Sequence, residues 1–104
     1  MSVLVDLANL PKTLAEFDRG YLLTSKDGLV KAVSARAVVA GDTLVVACPG
    51  RGSVANVGAN PSVTLLFPPP GGSGMSLLVD GTGEVAGEDV RITPTGAVLH
   101  KPVA

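Results

Sequence analysis

Arg51 and Ser53 are the two residues whose types and spacing best suit the binding of a phosphate. They open a segment of small residues in which a helix could begin. An arginine guanidinium donates two parallel hydrogen bonds to a phosphate, and a serine hydroxyl and the backbone N–H groups of residues 54–56 would point at the same anion from a helix start. A solvated loop arginine and a serine that caps the helix explain the same residues. The residues alone leave both interpretations open.

Lys31 and Arg36 are two more cations that could contact an anionic ligand, and both lie among small apolar residues. They are five residues apart, so on a regular strand they face opposite sides of a sheet. Only one of them can then enter a given groove unless a bulge intervenes. Lys31 shares its face with Val33 and Ala35. A solvated or snorkelling side chain is the alternative interpretation for each cation.

Acid–base, nucleophilic and metal chemistry find little support in the sequence, and no catalytic residue is predicted. His100 is the only histidine, and without clustered Cys, His or Asp it offers neither a metal site nor a nucleophile–base pair. We expect it to be partly buried or at a dimer edge. Cys48 follows an apolar run, so we expect it in the core, with a raised pKa and little reactivity. Four acidic residues at bends and turns are expected to be solvated surface: Asp80, Glu84, Glu88 and Asp89.

Charge and composition argue against several classes of protein. The net charge is −1 with charges scattered singly, and one tyrosine and two phenylalanines are the only aromatic residues, so nucleic-acid binding is not expected. No apolar run approaches the length of a membrane span. The single cysteine and the lack of a signal-peptide pattern predict a cytoplasmic protein. At 104 residues the chain, residues 1–104, is expected to form one domain.

The pattern of apolar residues predicts one helix followed by a series of strands. Apolar residues three and four apart predict a helix from about Leu10 to Arg19, with Gly20 as its stop. Asp27-Gly28 predicts a tight hairpin turn. Pro61 discourages helix at Asn60, so a short helix-like turn is expected to end there.

Six strands are predicted, mostly joined by tight turns. They are YLLTS (21–25), LVKAVSARAVV (29–39), TLVVAC (43–48), SVTLLF (62–67), MSLLVDGTGEVAG (75–87) and a last strand within residues 88–104. The third is nearly all apolar, which suits a strand buried on both faces. Gly81 and Gly83 suggest a bulge or bend in the fifth. Together they predict a mainly β fold, a six-stranded antiparallel barrel with one N-terminal helix and one short helix before Asn60-Pro61.

This order of features resembles the split-barrel flavin-binding proteins related to pyridoxamine 5'-phosphate oxidase. The segments that carry the resemblance are LAEF, YLLTSKDGLVKAVS, GDTLVVACPGRGSVANVGANPSVTLLF and SLLVDGTGEV, in order over roughly Leu14 to Val85. The resemblance implies a homodimer, with FMN or a deazaflavin coenzyme in a groove between two barrels. It also implies that the coenzyme phosphate rests on a basic turn and on cations from the second strand.

The chain departs from the family pattern at the basic turn. Counting back from Asn60-Pro61, the family's Ser-Arg-Lys falls on Arg51-Gly52-Ser53, so Ser53 stands in place of the usual lysine. Ala55 stands in place of a nearby basic residue. A phosphate favours charge-assisted donors, so Arg51, or Lys31 and Arg36 from the second strand, would have to bind it.

The resemblance also implies roles for smaller polar residues and a function for the whole chain. Thr24 and Ser25, which end the first strand, could hydrogen-bond the edge of a flavin ring or simply close a turn. Asn56 is expected to cap backbone groups. The implied function is an FMN- or deazaflavin-dependent oxidoreductase or a flavin reductase-like protein, because the coenzyme carries the hydride chemistry. A cofactor-free dimer that binds another small molecule, or one that acts as an interaction protein, stays open.

Overall fold

Residues 1–101 of the chain are described by a computed structural model. Its elements are β1 (Ser2–Leu4), a 3-10 turn (Leu7–Asn9), α1 (Leu10–Leu14), β2 (Gly20–Lys26), β3 (Leu29–Ala35), β4 (Ala37–Ala40), β5 (Thr43–Val46), α2 (Arg51–Ala59), β6 (Ser62–Phe67), a second 3-10 turn (Pro70–Gly72), β7 (Ser76–Ala86) and β8 (Asp89–His100).

The strands form one antiparallel sheet in the order β3-β2-β6-β7-β8-β5-β4, with β1 also paired to β8. β3 and β4 lie at opposite ends of this order, yet only Arg36 separates them in the chain. The sheet must therefore curl until its two ends meet. The mainly β antiparallel barrel predicted from the sequence is confirmed.

The strand count differs from the prediction, which was six. The predicted strand at residues 29–39 is divided at Arg36, because β3 pairs with β2 whereas β4 pairs with β5. β1 was not predicted, and its three residues lie opposite residues 98–100 of β8. Apart from β1, the barrel wall consists of the six predicted segments.

α1 is shorter than the predicted helix, which extended to Arg19. Beyond Leu14, the N–H groups of Glu16 and Phe17 bond to carbonyls three residues back, so the chain tightens and leaves the α-helical pattern. Phe17 still packs against the core, with its ring centroid 6.4 Å from that of Phe67. The apolar spacing thus identified the buried face correctly but not the end of the helix.

Two local predictions that rest on backbone chemistry are confirmed. Asp27 and Gly28, with φ of 54° and 79°, join β2 to β3 in a tight turn. The register of β7 against β8 shifts between Asp80 and Gly81, which places a bulge at one of the two glycines named. A Cβ on Gly81 would lie 2.7 Å from both Ile92 Cγ2 and the Thr93 carbonyl oxygen, so the bulge packs tightly.

The core fills the barrel and is almost entirely aliphatic. Its most deeply buried large residues are Leu22, Leu65, Phe67, Leu77, Val79 and Ile92. β5 buries Leu44 and Val46 on one face, whereas Thr43 and Val45 on the other face are half-buried in the single chain, so burial of that second face against a partner stays a prediction. Among residues 1–101, no helix is long and apolar enough to cross a membrane.

Candidate functional site

The helix α2 begins at Arg51 and presents free N–H groups at its start. Gly50 precedes it with φ 104°, and no side chain caps the first turn. The first N–H to bond back is that of Val54, to the Gly50 carbonyl. The helix ends at Asn60, which is extended before Pro61, as the sequence predicted. Its start therefore carries the partial positive charge that attracts anions.

Lys31 brings a full positive charge to this helix start. It lies on β3 directly opposite Thr24 of β2, and its Nζ lies over the Cα of Gly52. No acidic residue lies in the first turn of α2, and Lys31 has no ion-pair partner within residues 1–101. An ammonium beside a positive helix end is unfavourable unless an anion joins them. Lys31 and the start of α2 therefore form a positively charged site that could bind an anion.

Ser53 adds a hydrogen-bonding group that has no partner. The residue is fully buried, and its Oγ makes no hydrogen bond within the described part of the chain. Ser53 lies on the buried face of α2, in its first turn and one turn before the buried Val57. A buried hydroxyl without a partner costs about 1–3 kcal/mol. A ligand oxygen at the helix start could accept this hydrogen bond.

Thr24 and Ser25 are both engaged by α2. The side-chain amide of Asn56 donates to Thr24 Oγ1 across 3.1 Å, and that of Asn60 donates to Ser25 Oγ across 2.9 Å. Thr24 is 1% exposed, whereas Ser25 is half-buried and lines a groove. Asn56 therefore has a structural role, but it binds a side chain of β2. The two bonds attach α2 to β2.

Arg51 and Arg36 are the two other predicted cations, and both lie in other surroundings than Lys31. Arg51 is exposed and lines a cavity of about 230 Å3 with Cys48 and Glu88, toward the turn between β7 and β8. Arg36 Nη1 pairs with Asp18 Oδ1 at 2.9 Å, and both side chains are mostly exposed. Arg36 is also five residues along the strand from Lys31, which is about 16 Å in extended chain. Of the predicted site residues, Arg51 and Ser53 belong to α2, and Lys31, Thr24 and Ser25 of the β2–β3 hairpin contact that helix.

A groove on the outer face of the sheet was missed in the sequence analysis. It has a volume of about 420 Å3, and its wall includes Leu23, Ser25, Val30, Thr64 and Asp80. Thr64 Oγ1 donates to Asp80 Oδ1 across 2.7 Å, so this carboxylate, exposed as expected, also lines the groove. Side chains alternate between the two faces of β2, so Ser25 lies on the face opposite Thr24. This alternation was the one feature of the sequence that could have indicated a polar groove on the outer face.

Cys48 is exposed, so the prediction that it lies in the core is wrong. The apolar strand ends at Val46, and Cys48 takes a left-handed conformation with φ 46°. Its N–H donates to Asp89 Oδ1 across 3.0 Å, and its Sγ lies 3.8 Å from the same oxygen. Partial shielding from solvent raises the pKa of the thiol, and the carboxylates of Asp89 and Glu88 raise it further.

His100 lies at the end of β8 and is exposed in the single chain, so it is not partly buried there, and its place at a dimer edge stays a prediction. Its Nδ1 is 3.0 Å from the Ser2 hydroxyl in β1. In the described residues, no three His, Cys, Asp or Glu side chains are grouped as a metal site.

Comparison with known proteins identifies the architecture. The sequence matches no protein-family model and no curated protein. A FAD-binding protein from Mesorhizobium loti is 18% identical with a TM-score of 0.70, over 97% of this chain and 98% of that one. A putative pyridoxamine 5'-phosphate oxidase from Listeria innocua is 15% identical with a TM-score of 0.71, over 89% and 96%. A structure titled F420 reductase is 19% identical with a TM-score of 0.69, over 83% and 94%.

The chain is a split barrel. The resemblance that the ordered segments indicated is thereby confirmed at the level of the fold. In this split barrel, α2 lies across the β2–β3 hairpin, held by Asn56 and Asn60. The residues that could hold an anionic group are Lys31 and Ser53 with the free N–H groups of α2. The sequence analysis missed Gly52, because nothing local shows that a residue of β3 reaches it.

Proposed function

We propose that this split barrel binds a flavin or deazaflavin coenzyme, with FMN as the first candidate, and acts as an oxidoreductase. The observation that carries the proposal is the start of α2, where Lys31 lies beside free N–H groups and the buried Ser53 hydroxyl in the first turn makes no hydrogen bond within the described residues. Structures of similar fold are titled FAD-binding protein, putative pyridoxamine 5'-phosphate oxidase and F420 reductase, which supports this class of ligand.

The phosphate end of the coenzyme is proposed to bind at the start of α2. A phosphomonoester carries close to two negative charges and accepts several hydrogen bonds, so it would neutralise Lys31 and accept from Ser53 and the backbone. Arg51 is proposed as a second cation at the rim of the same helix end. Arg36 would have to release Asp18 before it could contribute.

The ring of the coenzyme is proposed to lie toward the outer groove, where Ser25 could hydrogen-bond its edge. The Ser25 hydroxyl accepts from Asn60 and still has its own proton to donate. Thr24 is buried and acts mainly by holding Asn56. When bound, the coenzyme supplies the hydride chemistry, and the protein supplies binding, orientation and hydrogen bonds to the ring. This division of roles requires no catalytic acid or nucleophile from the chain.

A homodimer is proposed as the working form. Tyr21, Leu23, Val30 and Ala32 alternate outward on the β2–β3 hairpin, and Tyr21 and Val30 are 44% and 69% exposed. Pairing this face with that of a second copy would cover apolar surface and close the outer groove on its open side. The dimer would then enclose the coenzyme ring between two barrels.

The test is an absorbance spectrum of the protein purified from its natural host, followed by titration with FMN, riboflavin and a deazaflavin coenzyme. We expect a flavin-type spectrum or micromolar binding of FMN. Riboflavin, which lacks the phosphate, should bind at least about tenfold more weakly. Lys31→Met should remove that difference, whereas the matched control Lys26→Met, at the exposed end of β2, should leave it intact. If the wild-type chain binds none of these coenzymes, the proposal fails.

A second candidate is a cofactor-free split-barrel dimer that binds another small molecule or a protein. Ser53 in place of the family's lysine favours it, since the helix itself then contributes no side-chain cation at that position. A stable dimer that quenches no flavin fluorescence would support this function in place of the first.

A further inference from the structure

We propose that Gly52 lets Lys31 supply the cation of the phosphate site from strand β3, in place of a cation on α2. The inference rests on the proposed coenzyme binding and specifies how this chain builds the phosphate site. It assigns a role to a glycine that touches no coenzyme itself, so Gly52 is a positioning residue.

The packing around Gly52 supports this role. A Cβ built on Gly52 would collide with Nζ of Lys31 and would lie 3.2 Å from its Cε. The glycine is not required by the backbone, because Gly52 lies within α2 and is not among the residues with positive φ. A glycine inside a helix is otherwise unfavourable relative to alanine. We therefore infer that Gly52 serves to leave space for the ammonium group of Lys31.

The charges around Gly52 point to a ligand. Lys31 has no carboxylate partner within residues 1–101, and the start of α2 adds a like partial charge. The buried Ser53 hydroxyl, in the first turn of the same helix, makes no hydrogen bond within the described residues. An anion with several oxygens would satisfy the lysine, the hydroxyl and the free N–H groups together. A phosphomonoester matches this set better than a singly charged carboxylate.

The sequence of α2 is consistent with a cation that comes from β3. Where the resemblance places Arg and Lys on the helix, this chain has Gly52 and Ser53, both small. Because position 52 has no side chain, Lys31 of β3 can reach the helix start at the positions where α2 carries no Arg or Lys. The two changes are therefore coupled, and each should matter only when the other is present.

The experiment compares Gly52→Ala with Gly58→Ala, a matched control on the same helix where a Cβ would meet nothing within 4 Å. Both replace a helix glycine, so both should fold and raise the melting temperature or leave it unchanged. Lys31 can swing its flexible end aside in Gly52→Ala. We expect Gly52→Ala to weaken FMN binding about tenfold and leave riboflavin binding unchanged, while Gly58→Ala changes neither.

Two further variants test the coupling. In a Lys31→Met background, Gly52→Ala should have no additional effect on FMN affinity. In Lys31→Ala with Gly52→Lys, the cation moves from strand to helix into the space that Lys31 vacates, and FMN affinity should return to within a few-fold of wild type.

The outcomes separate this inference from the proposed function. If wild type binds FMN and Gly52→Ala binds it as Gly58→Ala does, the role of Gly52 is refuted while coenzyme binding stands. Equal losses of FMN and riboflavin affinity in Gly52→Ala would also refute it, because they would indicate general disruption. If wild type binds FMN and riboflavin equally tightly, the phosphate site at the start of α2 is absent and this inference fails, while flavin binding stands; if wild type binds neither, both proposals fail.

Discussion

Asn56 of α2 donates a hydrogen bond from its side-chain amide to Oγ1 of Thr24 in β2, across 3.1 Å. Thr24 lies directly opposite Lys31 in the strand pair. The contact therefore fixes the helix relative to the lysine that lies over its start. The Asn56–Thr24 hydrogen bond thus helps to set the distance between the Lys31 ammonium and the start of α2.

Thr24→Val should destabilise the protein and loosen this arrangement. Valine keeps the shape of threonine but leaves the Asn56 amide without an acceptor, so the free energy of unfolding should fall by about 1–2 kcal/mol. FMN affinity should fall with it. Urea denaturation and FMN titration measure the two effects. The matched control is Thr82→Val in β7, whose hydroxyl is exposed and makes no hydrogen bond within residues 1–101. A Thr24 variant as stable as this control would mean that the hydrogen bond does not hold α2.

Gly81→Ala should be strongly destabilising. The added methyl would lie 2.7 Å from the Thr93 carbonyl oxygen, which belongs to the backbone and cannot move away cheaply. We expect a loss of about 1–3 kcal/mol, measured by thermal or chemical denaturation. Gly96→Ala, on the partner strand where nothing lies within 4 Å of a Cβ, is the control and should be near neutral. Equal losses in the two variants would contradict the account of the bulge.

Cys48 should react slowly with thiol reagents near neutral pH despite its exposure. The raised pKa means a smaller thiolate fraction than in a free cysteine, so the alkylation rate should rise only at higher pH. Folding favours the neutral thiol, so this contribution to stability is present below the unfolded pKa and is lost as pH rises through the folded one. Asp89→Asn should shift the rate profile to lower pH, and the exposed control Asp42→Asn should not. An unshifted profile in Asp89→Asn would show that this carboxylate does not control the thiol.

The homodimer proposal makes a prediction about two exposed valines. Val30→Asp places a charge on the outward face of the β2–β3 hairpin and should yield monomers in sedimentation at micromolar concentration. Val38→Asp, on β4 and 59% exposed, should leave the dimer intact. If Val30→Asp still forms a dimer and Val38→Asp does not, the dimer interface lies on β4 and not on the β2–β3 hairpin.

Features governed by local backbone chemistry were predictable from the sequence. Asp27-Gly28 favours left-handed conformations, and Asn60-Pro61 excludes further helix, so the turn and the end of α2 were found. The division of the second strand at Arg36 depends on which strand each half meets, which no local pattern encodes.

The candidate site was predictable only in part, because some of its contacts join residues far apart in the chain. Lys31 and Ser53 were recognised by residue type, and the face of Lys31 followed from strand alternation. That Lys31 reaches Gly52 depends on how α2 crosses the hairpin, a contact between residues far apart in the chain. Cys48 was misplaced because an apolar run predicts burial but not the left-handed turn that ends it.

The single-residue joint at Arg36 also bears on how the molecule holds together. β3 bonds to one neighbour and β4 to another, so the two hairpins at either end of the sheet share one uninterrupted length of chain. Neither the β2–β3 hairpin nor the β4–β5 hairpin can separate from the sheet without displacing the other. Local unfolding of one hairpin should therefore destabilise the whole barrel. The barrel should therefore come apart as one cooperative unit rather than in independent segments, and the helix that lies against it shares that resistance.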